Sequence, residues 1–195
     1  MDRIRLVMEA MGAPGKVFEA PSATASRALE TAKRLYMELV EEYASVLKDS
    51  LGDRLRSVCL FGSIARGDFA RGSDVDLLVV AEGLPEDVGS RHSMFGRLRA
   101  RVASTEAARG LKGLGYSIAT SEVYLTPEEV QGHPPIMLDI VEDGIIVYDR
   151  DGFLGSVLEG LRARLRELGA RRIKTGKGWY WLLKPDAKFG EEIRI

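Results

Sequence analysis

The sequence predicts an α/β (α+β) domain, a mixed β-sheet flanked by helices, followed by a C-terminal helix and hairpin. Three observations predict it. A segment beginning near Ser22 repeats its apolar residues every three and four positions. Two short Val/Leu-rich runs, residues 56–61 and 75–81, are each too short for a helix of ordinary length. Beyond them, helix-like and strand-like stretches alternate, and Asp143-Gly144 carries a hairpin signal.

Taken in order, residues 1–21 read as a short amphipathic piece (Ile4, Val7, Met8, Met11) and a turn at Gly12-Ala13-Pro14-Gly15. Ser22 caps a helix running to about Lys48, with Ala28, Ala32, Leu35, Tyr36, Leu39, Val40, Tyr43 and Leu47 on one stripe, and Gly52 stops it. The runs at 56–61 and 75–81 are strands, and Gly62–Ser73 between them is a loop. A helix follows over 90–112, then a strand over 116–125. Thr126-Pro127-Glu128-Glu129 opens a short helix with Thr126 as cap. Ile136–Val141 reads as a strand that turns at Asp143-Gly144 into a returning strand, Ile145–Tyr148. An amphipathic helix spans Phe153 to Leu168, and Trp179–Leu183 and Glu192–Ile195 form a last pair of strands. The domain division expected is an N-terminal segment 1–21, a main domain 22–150 and an extension 151–195.

The 195 residues are 45% hydrophobic, enough for a sizeable core. The net charge of −1 hides an asymmetry: residues 162–195 hold 10 Lys/Arg against 4 Asp/Glu. A solvated surface is the plainer cause of such a bias. The segment around Arg171-Arg172, Lys174, Lys177 and Trp179-Tyr180-Trp181 mixes rings and cations as single-strand binders do, and equally as a hairpin packing its aromatics on the domain. A single cysteine, Cys59, rules out an intrachain disulfide, and its apolar neighbours suggest a buried thiol. No apolar run approaches a membrane span and the N-terminus mixes charge with hydrophobe, so a soluble cytoplasmic protein is expected.

The chemistry concentrates between the two central strands. Gly62-Ser63 ends the first, and after ten residues Asp74-Val75-Asp76 opens the second. Alternate strand residues share a face, so the two carboxylates project together, ~7 Å apart. Such a pair repels unless cations sit between, and hard divalent ions such as Mg²⁺ take oxygen ligands while leaving positions for phosphates. Gly62 lets backbone N–H groups approach a phosphate, and Ser63 adds a hydroxyl. Arg66 and Arg71 lie where either meets phosphate oxygens. Two metals on shared carboxylates suit in-line displacement at phosphorus, and a third acid completes such a site. Asp139 is the first choice, a lone acid in an apolar strand, and Glu122 the second. His92 and His133 have no partners at ligand spacing.

This pattern resembles the DNA polymerase β-like nucleotidyltransferase superfamily. The runs Gly62-Ser63-Ile64-Ala65-Arg66-Gly67 and Ser73-Asp74-Val75-Asp76-Leu77 are similar to its minimal, especially archaeal, members, over about residues 50–150. The resemblance implies a Mg²⁺-dependent transfer of NMP from an NTP, with ATP the expected one, to a hydroxyl acceptor, releasing pyrophosphate. It implies two Mg²⁺ ions, with Asp74, Asp76 and Asp139 as catalytic metal ligands and Gly62, Ser63, Arg66 and Ser73 on the nucleotide. Many minimal members carry the third acid on a strand corresponding to 116–125, which keeps Glu122 open. The acceptor stays open among a protein, a small molecule and an RNA end. The alternative function is an antitoxin-like partner that masks or nucleotidylates a toxin protein, and a homodimer or partner protein is compatible with either.

Overall fold

Ala23 to Leu51 form helix α1 because the stripe Ala32, Tyr36, Leu39, Val40, Tyr43 and Leu47 buries completely, and each such large apolar side chain contributes about 1.5–3 kcal/mol. The computed structural model describes residues 23–176 and 178–195; the expected amphipathic piece in residues 1–21 lies outside them. Gly52 follows α1 at φ +55, a left-handed conformation that ends the helix at little steric cost.

Strands β1 (Leu55–Phe61) and β2 (Val75–Ala81) pair antiparallel at the centre of a four-stranded sheet. Both are buried on two faces, which is why their sequences read as continuous apolar runs and do not alternate. On the outer side of β2, β3 (Thr120–Leu125) pairs parallel, and β4 (Ile145–Asp149) pairs antiparallel with the other edge of β1, giving the order β3-β2-β1-β4. One core lies between the sheet and α1, built from Val58, Leu60, Val75, Leu77, Val79 and Tyr124 with the α1 stripe. The other face carries Cys59, Phe61, Leu78 and Val80 against two later helices. Burial pushes the Cys59 thiol up to about 12, with Asp149 adding to it, so the thiol is inert.

Between β1 and β2 runs a single short helix, α2 (Gly62–Arg66), closed by Gly67 at φ +76. Where one helix was expected over 90–112 there are three: α3 (Val88–Met94), α4 (Gly96–Val102) and α5 (Glu106–Gly113). The chain breaks at Phe95-Gly96 and again where Thr105 accepts the Ala108 N–H as an N-cap, and Asp87 caps α3 in the same way. The strand expected from 116 begins only at Thr120. Helix α6 (Pro127–Gln131) carries the full capping box, Thr126 with Glu129.

The largest departure is Ile136–Asp143, expected as a strand and found as helix α7. Five of its first six residues are apolar, so the run alone does not separate a strand from a short helix. What decides is that Met137, Ile140 and Val141, spaced three and four apart, bury on the second core. The Asp143-Gly144 hairpin is accordingly absent. Gly144 has φ −68 and ψ 133 and leads into β4, which pairs with β1. Glycine is required there by proximity: an added Cβ would lie 3.0 Å from the Cys59 sulfur and 2.9 Å from Ile140 Cγ2.

Helix α8 (Phe153–Glu167) covers the same face through Leu154, Leu158, Leu161 and Leu165. Asp149 accepts the Leu154 and Gly155 N–H groups, both at 2.9 Å, and the Ser57 hydroxyl at 2.6 Å, fixing the α8 N-terminus to β1. The terminal hairpin exists, with different partners from those expected: β5 (Arg171–Thr175) pairs with β6 (Gly178–Leu182), and residues 192–195 form no strand. No helix among the described residues is long and apolar enough to cross a membrane.

Candidate active site

The end of β1, helix α2 and the start of β2 bring the glycine, the serine and the paired acids together. Phe61 lies opposite Asp76 in the β1–β2 ladder, so Gly62 starts its turn beside the second carboxylate. Gly62 has φ +74, and a Cβ there would sit 2.9 Å from Asp76 Cγ and collide with the carboxylate. Only glycine allows the two to pack so closely. The loop that follows is pinned from both sides. Phe69 is buried edge-on against Tyr36 and Tyr116, the Ser117 N–H donates to Arg71 O at 2.7 Å, and the Val75 N–H donates to Ala119 O at 2.8 Å. Asp74, exposed, and Asp76, partly buried, are thereby held at the mouth of the sheet.

Electrostatics mark this pair. Burial first, then the Asp74 charge, raises the Asp76 carboxyl above the ordinary carboxylate range, while Arg66 and the Ser121 hydroxyl pull it back. A carboxyl raised by burial and by a neighbouring acid is a site awaiting positive charge. Their donors are hard oxygens, open to solvent on one side, and this set fits a divalent ion such as Mg²⁺. Among the described residues, no third His, Cys, Asp or Glu joins them in a group that would hold a metal.

The expected third acids stand elsewhere. Glu122 pairs with Leu77 in the parallel β2–β3 register, while Asp76 pairs with Ser121. Glu122 therefore faces the α1 core, on the opposite side of the sheet from Asp76. There it is satisfied by the Tyr43 hydroxyl at 2.8 Å, the Thr120 hydroxyl at 2.6 Å and Arg99 Nη1 at 3.4 Å. It is a structural carboxylate and not a partner of Asp76. Asp139 lies on α7, half-buried, and its Oδ1 accepts the Trp179 indole N–H at 2.9 Å. The premise that Asp139 sits in a strand is corrected, although it remains on the face of the sheet that Asp76 shares.

The remaining expected residues divide. Ser63 O accepts the Asp68 N–H at 3.0 Å, tightening the turn after α2. Ser73 Oγ accepts the Ala70 N–H at 2.9 Å, so its hydroxyl shapes the loop. Arg71 lies over the Tyr116 ring, 5.6 Å from its centroid, and packs against Gly115, a structural placement. Arg66 points toward the C-terminal hairpin, with Nε 3.3 Å from Asp68, Nη1 3.8 Å from Asp143, and its guanidinium over Trp179 at 4.6 Å. Sequence reasoning did not connect Asp143, Arg172 and Trp179 to this region. Nothing local signals a contact between residues so far apart along the chain, beyond the run of rings and cations already noted.

Comparison with known proteins agrees with the motif. A family model described as a nucleotidyltransferase domain matches residues 40–124. Two proteins of Methanocaldococcus jannaschii named as putative protein adenylyltransferases are similar to the chain. MJ1305 is 28% identical over 149 residues, covering 75% of this chain and 95% of that protein. MJ0141 is 41% identical over 49 residues, covering 25% and 50% respectively. A solved structure of a putative nucleotidyltransferase from Sulfolobus solfataricus aligns with a TM-score of 0.43 at 24% identity, over 69% of this chain and 94% of that one.

Proposed function

We propose, from the nucleotidyltransferase-domain match over residues 40–124, that the protein transfers the nucleoside monophosphate of an NTP, ATP foremost, to a hydroxyl on a protein acceptor. The acceptor oxygen bonds to the α-phosphorus, the bond from that phosphorus to the β-phosphate oxygen breaks, and pyrophosphate leaves. The observation that carries this reading is the packing of Gly62 against Asp76, with Asp74 beside it, at the open end of the sheet. Asp74 and Asp76 would hold Mg²⁺, two ions in the full reading, which when bound offsets triphosphate charge and lowers the barrier to attack by the hydroxyl.

The chain's own residues do the rest. Gly62 and Ser63 offer backbone N–H groups and a hydroxyl to the triphosphate, and Ser73 holds the loop that carries Asp74. Arg66, near enough to Asp76 to pull its carboxyl down, adds positive charge on the phosphate side. Asp139 serves on the acceptor side, taking the hydroxyl proton after exchanging its bond from Trp179. A protein acceptor is favoured by the adenylyltransferase names of the similar M. jannaschii proteins.

Pyrophosphate release tests the proposal. Wild-type protein, Mg²⁺ and each NTP are incubated with and without acceptor extract, beside Asp76→Asn and Asp74→Asn. Release from one NTP that both substitutions abolish is the expected result. Equal release by wild type and Asp76→Asn would overturn it.

A further inference from the structure

We propose that the C-terminal hairpin and α2 form an anion-binding subsite beside the acids, one that takes a phosphate group carried by the acceptor. Arg66, Asp68, Arg172, Lys174 and Trp179 line a cavity of about 250 Å³. Three of these belong to the hairpin, outside the 40–124 match. The inference rests on the nucleotidyl-transfer reading only for whose phosphate is bound; the subsite itself stands on the geometry.

The cavity is built by mutually fixed parts. Trp179 donates its indole N–H to Asp139, which sets the ring. Two guanidiniums lie over that ring, Arg66 at 4.6 Å and Arg172 at 4.0 Å from its centroid. Asp143 lies 2.9 Å from Arg172 Nη1 and 3.8 Å from Arg66 Nη1, tying the hairpin to α7 and α2. Asp68, Asp139 and Asp143 stand among the three cations Arg66, Arg172 and Lys174, so the cluster is held together by alternating charge.

The unused hydrogen-bonding capacity points to the ligand. Arg172 Nε and Nη2 are shielded from solvent and have no hydrogen-bond partner among the described residues. Buried donors left unpaired are uncommon, and these two form one edge of the guanidinium, the edge that grips a phosphate or carboxylate with two parallel bonds. The Trp179 indole, stacked on Arg172, is 36% exposed at the rim of the cavity. Two oxygens of a phosphate group match the spacing of the two N–H groups on that Arg172 edge. Arg66 lines this cavity from α2, whose first residue, Gly62, packs against Asp76, so a phosphate held here lies on the α2 side of the reacting centre.

Trp179 is itself a reporter. In a Trp181→Phe background it is the only tryptophan, and its fluorescence can be followed as inorganic phosphate is titrated through the millimolar range. The titration is repeated with a saturating non-hydrolysable ATP analogue and Mg²⁺, and again in Arg172→Gln, Lys174→Gln and Asp76→Asn. The expected result is a saturable change that persists with the analogue bound and in Asp76→Asn. It weakens about tenfold in Arg172→Gln and about threefold in Lys174→Gln, whose side chain is exposed and whose replacement leaves the fold intact. No saturable change, or equal affinity in both basic-residue variants, overturns the subsite. Loss of the signal when the analogue is bound also overturns it, because the cavity then holds the triphosphate tail. Failure of the nucleotidyl-transfer reading would appear separately, as pyrophosphate release unchanged in Asp76→Asn.

Discussion

Replacing Gly62 by alanine separates the chemistry of the turn from its stability. The substitution has two effects with different sizes. At φ +74 a non-glycine residue costs about 1–2 kcal/mol of backbone strain. The new methyl would also meet Asp76 Cγ at 2.9 Å and Asp76 Cβ at 3.1 Å, so the carboxylate must move away. A displacement near an ångström at a reacting centre costs about 10²-fold in rate. Gly67 supplies the control, since it has φ +76 with nothing within 4 Å of an added Cβ. Gly67→Ala therefore carries comparable strain without the collision. Urea unfolding and pyrophosphate release are measured on both variants. The expectation is a stability loss in both, at least as large in Gly62→Ala, with turnover collapsing only in that variant. Turnover in Gly62→Ala equal to that of Gly67→Ala would refute the argument that this close approach positions the acid.

Other perturbations probe the scaffold. Tyr43→Phe removes a donor from the buried Glu122 and should destabilise by about 1–3 kcal/mol in a urea melt, leaving turnover unchanged; an unaltered midpoint would show the bond to be dispensable. Asp149→Ala strips the α8 N-terminus of its acceptor and orphans the buried Ser57 hydroxyl, for a loss of about 1–2 kcal/mol by the same assay. The Glu129 carboxyl is held below its ordinary value, first by its hydrogen bonds from Arg91, at 2.8 and 2.9 Å. A depressed acid stabilises the fold above its unfolded pKa and loses that contribution as pH falls through the folded value. Wild-type melting temperature should therefore fall on acidification through and below the usual carboxylate range. Glu129→Gln should start lower at neutral pH and show a shallower fall, and parallel curves would contradict the pairing.

The parts of the fold legible in the sequence were those with a single physical solution. The α1 stripe has one possible period, and the β1 and β2 runs between them fix a Gly-Ser turn against an Asp-x-Asp start. Ile136–Val141 was not legible because nearly every position is apolar. Its helical state is chosen by the sheet face that Met137, Ile140 and Val141 cover, information that exists only once β1 and β2 are in place. The same holds for Glu122. A lone acid in an apolar strand announces a buried carboxylate, yet only the parallel register, with Ser121 beside Asp76, reveals that it faces away from the site. The hairpin's contribution was hidden for a related reason. Asp143 and Arg172 meet across 29 positions of chain, and charge counting registered the tail as a solvated surface.

The role proposed for Asp74 and Asp76, serving attack at the α-phosphorus of a nucleoside triphosphate, is tested most directly by parallel incubations of protein, Mg²⁺ and acceptor with ATP radiolabelled at the α- or the γ-phosphorus. Acid-stable label on the acceptor is expected from the α position alone, and none with Asp76→Asn. Label arriving from the γ position, or α-label transferred equally by Asp76→Asn, would contradict it.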